Sequence, residues 1–311
     1  MLVGLSGGAD STALLVLARA LAHGERCAGE APDDNGLPGR AQVHALYVHH
    51  HLRVDADSEV DHCAKLCTRL GVPLAVADVH PTRARSGLAA DARRLRHAAL
   101  ASHAKAIGAN WILLAHHADD QLETLLMRIG RGAGNRGLAA IPWVRRASAK
   151  SSIRIARPLL SIERSQIETF CRECDLAWCE DASNLNIKSA RSLLRMRVVP
   201  ALRERWPAIA EHALLASEAA RSGAWALGRI AVMEGWTKPI IPRTLLRLHG
   251  PQRAAALLAS ALEQRSISLS LRVIRLVAQS ACDRTVRPRV FHDAGHVLTL
   301  TAKDLTIAAD Q

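Results

Sequence analysis

The stretch Leu2-Val3-Gly4-Leu5-Ser6-Gly7-Gly8-Ala9-Asp10-Ser11-Thr12 constrains this chain more than any other. An apolar run that breaks at Ser-Gly-Gly and restarts as Ala13-Leu14-Leu15-Val16-Leu17-Ala18 reads as strand, tight turn and helix. Two glycines let the backbone take positive φ and come close to an anion, and a helix that starts at Ser11 adds unpaired N–H groups and a positive dipole end. Ser6, Ser11 and Thr12 can donate hydroxyls to the same anion, while Asp10 can hold a magnesium ion that bridges phosphates. A Gly-Gly turn between strand and helix can also carry no ligand. The lysine of a Walker A loop is absent and the spacing is shorter, and Gly-x-Gly-x-x-Gly does not fit.

Strand and helix signals alternate through the first half of the chain. Leu14, Leu17, Ala18 and Leu21 fall on one face of the first helix, and residues 30–39, rich in Pro, Gly and Asp, read as a surface loop. A second strand over Val43 to Val48 runs into His49-His50-His51-Leu52-Arg53, at the end where an open parallel sheet binds its ligands. Neighbours on an extended chain point to opposite faces, so the three histidines cannot all converge on one metal. Asp57 to Leu70 is a helix with Val60, Cys63, Ala64, Cys67 and Leu70 on its apolar side, Val72 to Val79 a strand, Asp91 to Ile107 a helix carrying Arg93, Arg94 and Arg96, and Trp111 to Ala115 a fourth strand. Such alternation argues a doubly wound parallel sheet of the α/β class.

The fourth strand exits into His116-His117-Ala118-Asp119-Asp120-Gln121-Leu122-Glu123-Thr124. On a helix beginning near Ala118, Asp120 and Glu123 share a face and Leu122, Leu125, Leu126 and Ile129 lie on the other. Clustered carboxylates repel unless a cation sits between them, which suits magnesium or a substrate ammonium group. Acidic residues also simply favour helix N-termini. Arg131-Gly132-Ala133-Gly134-Asn135-Arg136-Gly137 then combines mobile backbone with fixed positive charge, which suits a polyphosphate or an RNA backbone, although a glycine helix stop beside solvated arginines has the same composition.

Charge narrows the partners. The formal charge of +12 and an isoelectric point near 10.1 come almost wholly from arginine, whose planar fork suits phosphate. Nucleic acid is the leading partner, with genomic bias toward arginine and alanine the competing source of that composition. No secretory signal is visible and no run approaches the ~18 apolar residues of a membrane span, so a cytoplasmic protein without a membrane partner is expected. The seven cysteines are then expected to be reduced and mostly buried. Nothing in the sequence sets an oligomeric state.

Ser-Gly-Gly-x-Asp-Ser after an opening strand resembles the phosphate (PP) loop of the N-type ATP pyrophosphatases. The wider ordered set resembles the tRNA(Ile)-lysidine synthetase family: the Val48 to Arg53 segment, Arg93-x-x-Arg96-His97, His116-His117-Ala118-Asp119-Asp120-Gln121-x-Glu123-Thr124, Arg131-Gly132-x-Gly134-x-x-Gly137-Leu138, Arg157-Pro158-Leu159-Leu160, Glu180-Asp181-x-Ser183-Asn184 and Arg191-Ser192-x-Leu194-Arg195-x-x-Val198-x-Pro200. It covers roughly the first two thirds of the chain. His49 and His51 stand where Asn and Gly are common in that family, and Ser192 stands for a usual Asn.

The resemblance implies an adenine nucleotide alpha hydrolase-like fold and a ligase reaction. ATP adenylates C2 of the wobble cytidine of the isoleucine tRNA with anticodon CAU, and the amine of free L-lysine displaces AMP. It implies that Ser6, Gly7, Gly8, Ala9 and Ser11 cradle ATP with Arg96, that Asp10 holds Mg2+, and that His116, Asp120 and Glu123 act in catalysis or lysine recognition. Arg131, Arg136, Arg191 and Arg195 would face tRNA. Alternatives are another ATP-pyrophosphatase tRNA modifier of the 2-thiocytidine type, or a catalytically silent RNA-binding relative. Cys171-x-x-Cys174 lies within a helix over Ser161 to Leu176 and lacks a second Cys-x-x-Cys, unlike an iron–sulfur thiolation enzyme.

At 311 residues the chain has room for two domains. We expect residues 1–207 to form the PP-loop domain. Residues 208–311 should form a basic, mostly helical tRNA-binding domain that ends in a small hairpin around Gly295. Arg243, Arg247, Arg253, Arg265, Arg272, Arg275, Arg284, Arg287 and Arg289 would supply its phosphate contacts.

Overall fold

The computed structural model describes residues 1–24, 41–51, 56–82, 87–180, 189–283 and 287–310. The loop read at 30–39, Arg53, the Asp181-x-Ser183-Asn184 part of one motif and Arg284 lie outside the described residues. The chain forms two compact units, one from Met1–Thr124 with Ile141–Leu214, the other from Leu125–Ala140 with Leu215–Gln311.

The first unit begins with β1 (Leu2–Leu5), α1 (Ala9–His23), β2 (His44–His49), α2 (Ala56–Leu70), β3 (Leu74–Asp78), α3 (Leu88–Ala106), β4 (Trp111–Leu113) and the start of α4 (Ala118–Gly130). After α5 (Asn135–Leu138) come β5 (Val144–Arg146), β6 (Arg154–Ala156), α6 (Arg164–Glu173), α7 (Ala190–Leu193), a π-helical turn at Leu194–Val198, α8 (Val199–Arg205) and the start of α9 (Ile209–Met233). Its sheet has the order β3-β2-β1-β4-β6-β5, parallel except for the β5 edge. Strand periodicity sends Val3, Leu5, Ala45 and Tyr47 into one core with α1, α2 and α6, and Leu2, Leu46, Val48 and Ile112 into another with Leu100 and Ala104 of α3. Helices on both faces make it the doubly wound α/β sheet expected from the alternation.

One local reading needs correction. The buried stripe of α1 runs through Leu14, Leu15, Ala18 and Ala22, and Leu21 is 66% exposed. The spacing of four that joins residues 14, 18 and 22 turns the stripe away from Leu21. The β5 and β6 strands are not legible in the sequence, because three residues each, with arginines among them, carry too little periodicity to register.

The second unit holds β7 (Ile240–Pro242), α10 (Arg243–Gln264), α11 (Leu271–Cys282), β8 (Arg289–Asp293), β9 (His296–Leu300) and β10 (Asp304–Ala309). The expected hairpin is β8–β9, closed by Ala294 and Gly295 at φ 47° and 75°, the left-handed pair that a two-residue hairpin turn requires. It sits within a four-stranded antiparallel sheet of order β7-β10-β9-β8. Trp236, Leu246, Leu258, Leu262, Val277, Leu298 and Leu305 are fully or nearly fully buried in its core. Helix α10 breaks at Gly250 (φ 69°) before Pro251, which has no N–H to continue the ladder. Arg243 is not a surface arginine: it is 1% exposed and donates to the carbonyls of Ala281, Ser280 and Thr301, tying α10 to α11 and the end of β9. No described helix is long and apolar enough to cross a membrane.

Candidate active site

An open α/β sheet leaves a crevice outside the carboxyl ends of its strands where the strand order reverses. Here the reversal falls between β1 and β4, and both strands end in informative sequence. The turn after β1 is built by Gly7 at φ 81°, where a Cβ would also come within 3.4 Å of Cys63 Sγ. Gly8 is extended (φ −74°) and caps α1, which starts two residues before the expected Ser11. A Cβ on Gly8 would meet nothing within 4 Å, so here the missing side chain leaves open backbone, not a special φ. The Ser6 N–H donates to Ser11 Oγ at 3.1 Å, and Ser11 Oγ donates to the Gly8 carbonyl at 3.1 Å, which fixes the loop across the helix N-terminus.

Beside this loop lies a cavity of about 480 Å³. Its wall includes Ser6, Asp10 and Ser11 from the loop, Tyr47 and His50 from β2 and its exit, Arg93 and Arg96 from α3, His116 and Asp120 from the β4 exit, and Arg191 and Arg195. Glu123 stands behind the wall, 1% exposed. Thr12 is fully buried and is not part of the lining, so its hydroxyl is not offered to this cavity. Gly7, Gly8 and Ala9 form the turn without lining the cavity. Arg131 and Arg136 belong to the second unit, where Arg136 pairs with Glu263 at 3.2 Å.

The carboxylates are held by arginines. Arg191 donates from Nε to Glu123 at 2.6 Å and from Nη2 to Asp120 at 2.7 Å, and Arg195 Nε donates to Glu123 at 2.7 Å. Arg195 is in the π-helical turn and Arg191, four residues earlier, is in α7, and both reach the same pair of acids. Asp119 faces the other way and accepts from the Arg164 N–H at 2.9 Å and from Arg203 at 2.6 Å.

Burial and charge sort the titratable groups. Burial pushes the Asp10 carboxyl above its ordinary range, against the lowering pull of His117 and Arg164. Burial together with Arg157, Arg93 and Arg96 drives the His116 imidazole down to about 3, despite Asp120, so it is neutral at physiological pH. For His117 burial opposes the charge, but its contact with Asp119 and the nearby Asp120 and Asp10 outweigh that and raise its pKa. Burial also opposes the Asp120 charge, and His117 and Arg191 more than compensate, holding its carboxyl low.

Buried polar atoms in this wall without a hydrogen-bond partner among the described residues include Asp10 Oδ1, Arg96 Nε and His116 Nδ1. Buried orphans are rare in proteins. A hard carboxylate oxygen suits Mg2+, and a guanidinium N–H suits phosphate oxygen, so the residues present fit a metal-bound polyphosphate. Sequence reasoning misses His50 as a wall residue, and it misses the hydrogen bond from the chain's one tyrosine, Tyr47, to buried Glu59 at 2.7 Å. Glu59 sits in a run of charged helix residues and carries no local signal.

A profile of the PP-loop domain matches residues 1–202. Over 212 residues the chain is 39% identical to a tRNA(Ile)-lysidine synthase from Xanthomonas campestris, covering 68% of this chain and 44% of that one. It is 37% identical over 205 residues to the corresponding Actinobacillus succinogenes protein, 66% of this chain and 44% of the relative. A Burkholderia mallei tRNA(Ile)-lysidine synthase is 38% identical over 206 residues, 66% and 39% of the two chains. The chain thus spans less than half the length of these relatives. Among solved structures, the U34-tRNA thiolase NcsA from Methanococcus maripaludis superposes with a TM-score of 0.56 at 14% identity, covering 70% of each chain, a likeness of fold. With its profile matched over more than half its length, and with the Ser-Gly-Gly-x-Asp-Ser turn at the switch point of its sheet, the chain belongs to the PP-loop family.

Proposed function

We propose that this chain carries out lysidine synthesis, ATP-dependent adenylation of C2 of the wobble cytidine in the CAU-anticodon isoleucine tRNA followed by displacement of AMP by the amine of free lysine. The observation that carries the reading is the convergence of Ser6, Asp10, Ser11, Arg96, His116 and Asp120 on one cavity at the β1/β4 switch point. Relatives that carry this activity in their names align over about two thirds of the chain.

In this mechanism the α1 N-terminus and the Ser6 and Ser11 hydroxyls hold the pyrophosphate, with Gly7, Gly8 and Ala9 shaping the turn. Asp10 is the residue that would hold Mg2+, which supplies charge stabilisation for the departing pyrophosphate. Arg96 faces the phosphates. The cytidine O2 attacks the α-phosphorus, pyrophosphate leaves, and the lysine nitrogen then forms its bond to C2 as the C2–O bond to AMP breaks. His116, kept neutral, offers a hydrogen bond instead of a charge. Asp120 and Glu123 suit the ammonium group of lysine. Arg191 and Arg195 already occupy these acids, so tRNA phosphates that draw the arginines away would open the lysine site as RNA arrives.

Arg131 and Arg136, with the basic residues of 208–311, are proposed to take the tRNA body through phosphate contacts. The test is tRNA-dependent release of AMP and pyrophosphate. Release that needs lysine supports the reading; release that needs a sulfur donor favours the 2-thiocytidine type, and no release leaves the silent RNA-binding relative.

A further inference from the structure

The histidines that depart from the family pattern, His49 and His51, do not line the cavity, whereas His50 between them does. His49 ends β2 and His51 follows just past it, off the extended path, and there they meet Asp78 at the end of β3. One potential ligand atom from each of the three lies within 4.8 Å of the others. We propose that His49, His51 and Asp78 form a binding site for a borderline divalent metal ion, Zn2+ foremost, separate from the Asp10 site and independent of the activity proposed above.

The backbone supports this on two counts. The parallel ladder sets His49 opposite Asp78, and the Val79 N–H donates to the His49 carbonyl at 2.9 Å, so both residues stand on paired strand ends. His51 follows at φ 52°, a left-handed conformation that a residue with a Cβ seldom adopts. That conformation brings its ring to 4.0 Å from the His49 ring, centroid to centroid, and its Nε2 to 2.8 Å from Asp78 Oδ1. The neighbouring His80 ring stacks on His51 at 4.7 Å, and the His51 N–H donates to His49 Nδ1 at 3.2 Å, so the nitrogen that His49 would turn to an ion is Nε2, with the Asp57 carboxylate 3.3 Å away.

Two imidazoles and one carboxylate are a ligand set for zinc and its neighbours in the first transition row, and a poor one for Mg2+. Metal–ligand bonds of about 2.0–2.1 Å place tetrahedral ligand atoms roughly 3.3 Å apart, within reach of small side-chain rotations here. His49 is buried while His51 and Asp78 are exposed, so the fourth position opens to water. Through His49 such an ion would brace the exit of β2, where His50 enters the cavity wall.

The experiment is Co2+ titration of the full chain, followed by its ligand-field absorption and by displacement with Zn2+, in wild type, His51→Gly and Asp78→Asn. Glycine suits the left-handed backbone at residue 51, so that variant keeps its fold. One equivalent of Co2+ with a nitrogen/oxygen spectrum, displaced by Zn2+, unaffected by excess Mg2+ and weakened at least tenfold in both variants, is expected. No stoichiometric binding, a thiolate charge-transfer band, or unchanged affinity in either variant would overturn the site.

Discussion

Replacing Asp119 by asparagine tests the electrostatic frame that holds the site. Asp119 lies in the first turn of α4, one residue before Asp120, and its side chain is 15% exposed. Burial alone would raise its pKa, yet its contact with His117, the Arg164 N–H and the Arg203 guanidinium bring it down from 3.8 to about 2. That difference corresponds to about 2.5 kcal/mol favouring the folded state at neutral pH. Because the folded pKa is depressed, this stabilisation is complete above the unfolded value near 4, is about half gone by pH 3, and disappears as pH falls through about 2. Asparagine keeps the size but turns an N–H toward groups that are themselves donors. Urea unfolding of wild type and Asp119→Asn at pH 7 should differ by about 2–3 kcal/mol, with the gap narrowing between pH 4 and pH 3. A gap under ~0.5 kcal/mol at pH 7, the level of an ordinary surface substitution, or one independent of pH, would refute the reasoning.

Gly8→Ala should fold with stability within about 0.5 kcal/mol of wild type, since a Cβ there meets nothing within 4 Å, while pyrophosphate release falls; thermal melts beside turnover assays check both. Asp10→Asn should abolish tRNA-dependent pyrophosphate release and leave tRNA binding and fold intact. Its stability should be equal or raised, because burial disfavours the Asp10 charge, and chemical denaturation reads this. Reversing charge at exposed Arg253, Arg272 and Arg287 should weaken tRNA binding and flatten its dependence on salt, by about 0.7–0.9 in log–log slope for each phosphate no longer neutralised; filter binding across salt concentrations measures it.

Long-period features of the fold are legible in the sequence and short ones are not. The alternation of four strands with helices points to the parallel sheet, and the Ser-Gly-Gly turn locates its switch point. The three-residue strands β5, β6 and β7 fall below the length at which periodicity speaks, and β10 hides in a terminal stretch with little turn chemistry to mark it. At the site, Asp10, His116, Asp120 and Glu123 can be picked out because each stands at a strand exit or on the first turns of the following helix. That Arg191 in α7 and Arg195 in the π-helical turn reach Glu123 across 68 and 72 residues of sequence is announced by no local pattern. The cluster of His49, His51 and Asp78 joins two strands whose register only the fold sets.

The central claim is a bond between lysine and one cytidine. The measurement is incorporation of labelled lysine into a CAU-anticodon isoleucine tRNA transcript with ATP and Mg2+, and a methionine tRNA of the same anticodon as control. Label in the isoleucine tRNA alone, lost in Asp10→Asn, is the predicted result; AMP formed without label, or label in neither tRNA, would contradict the account.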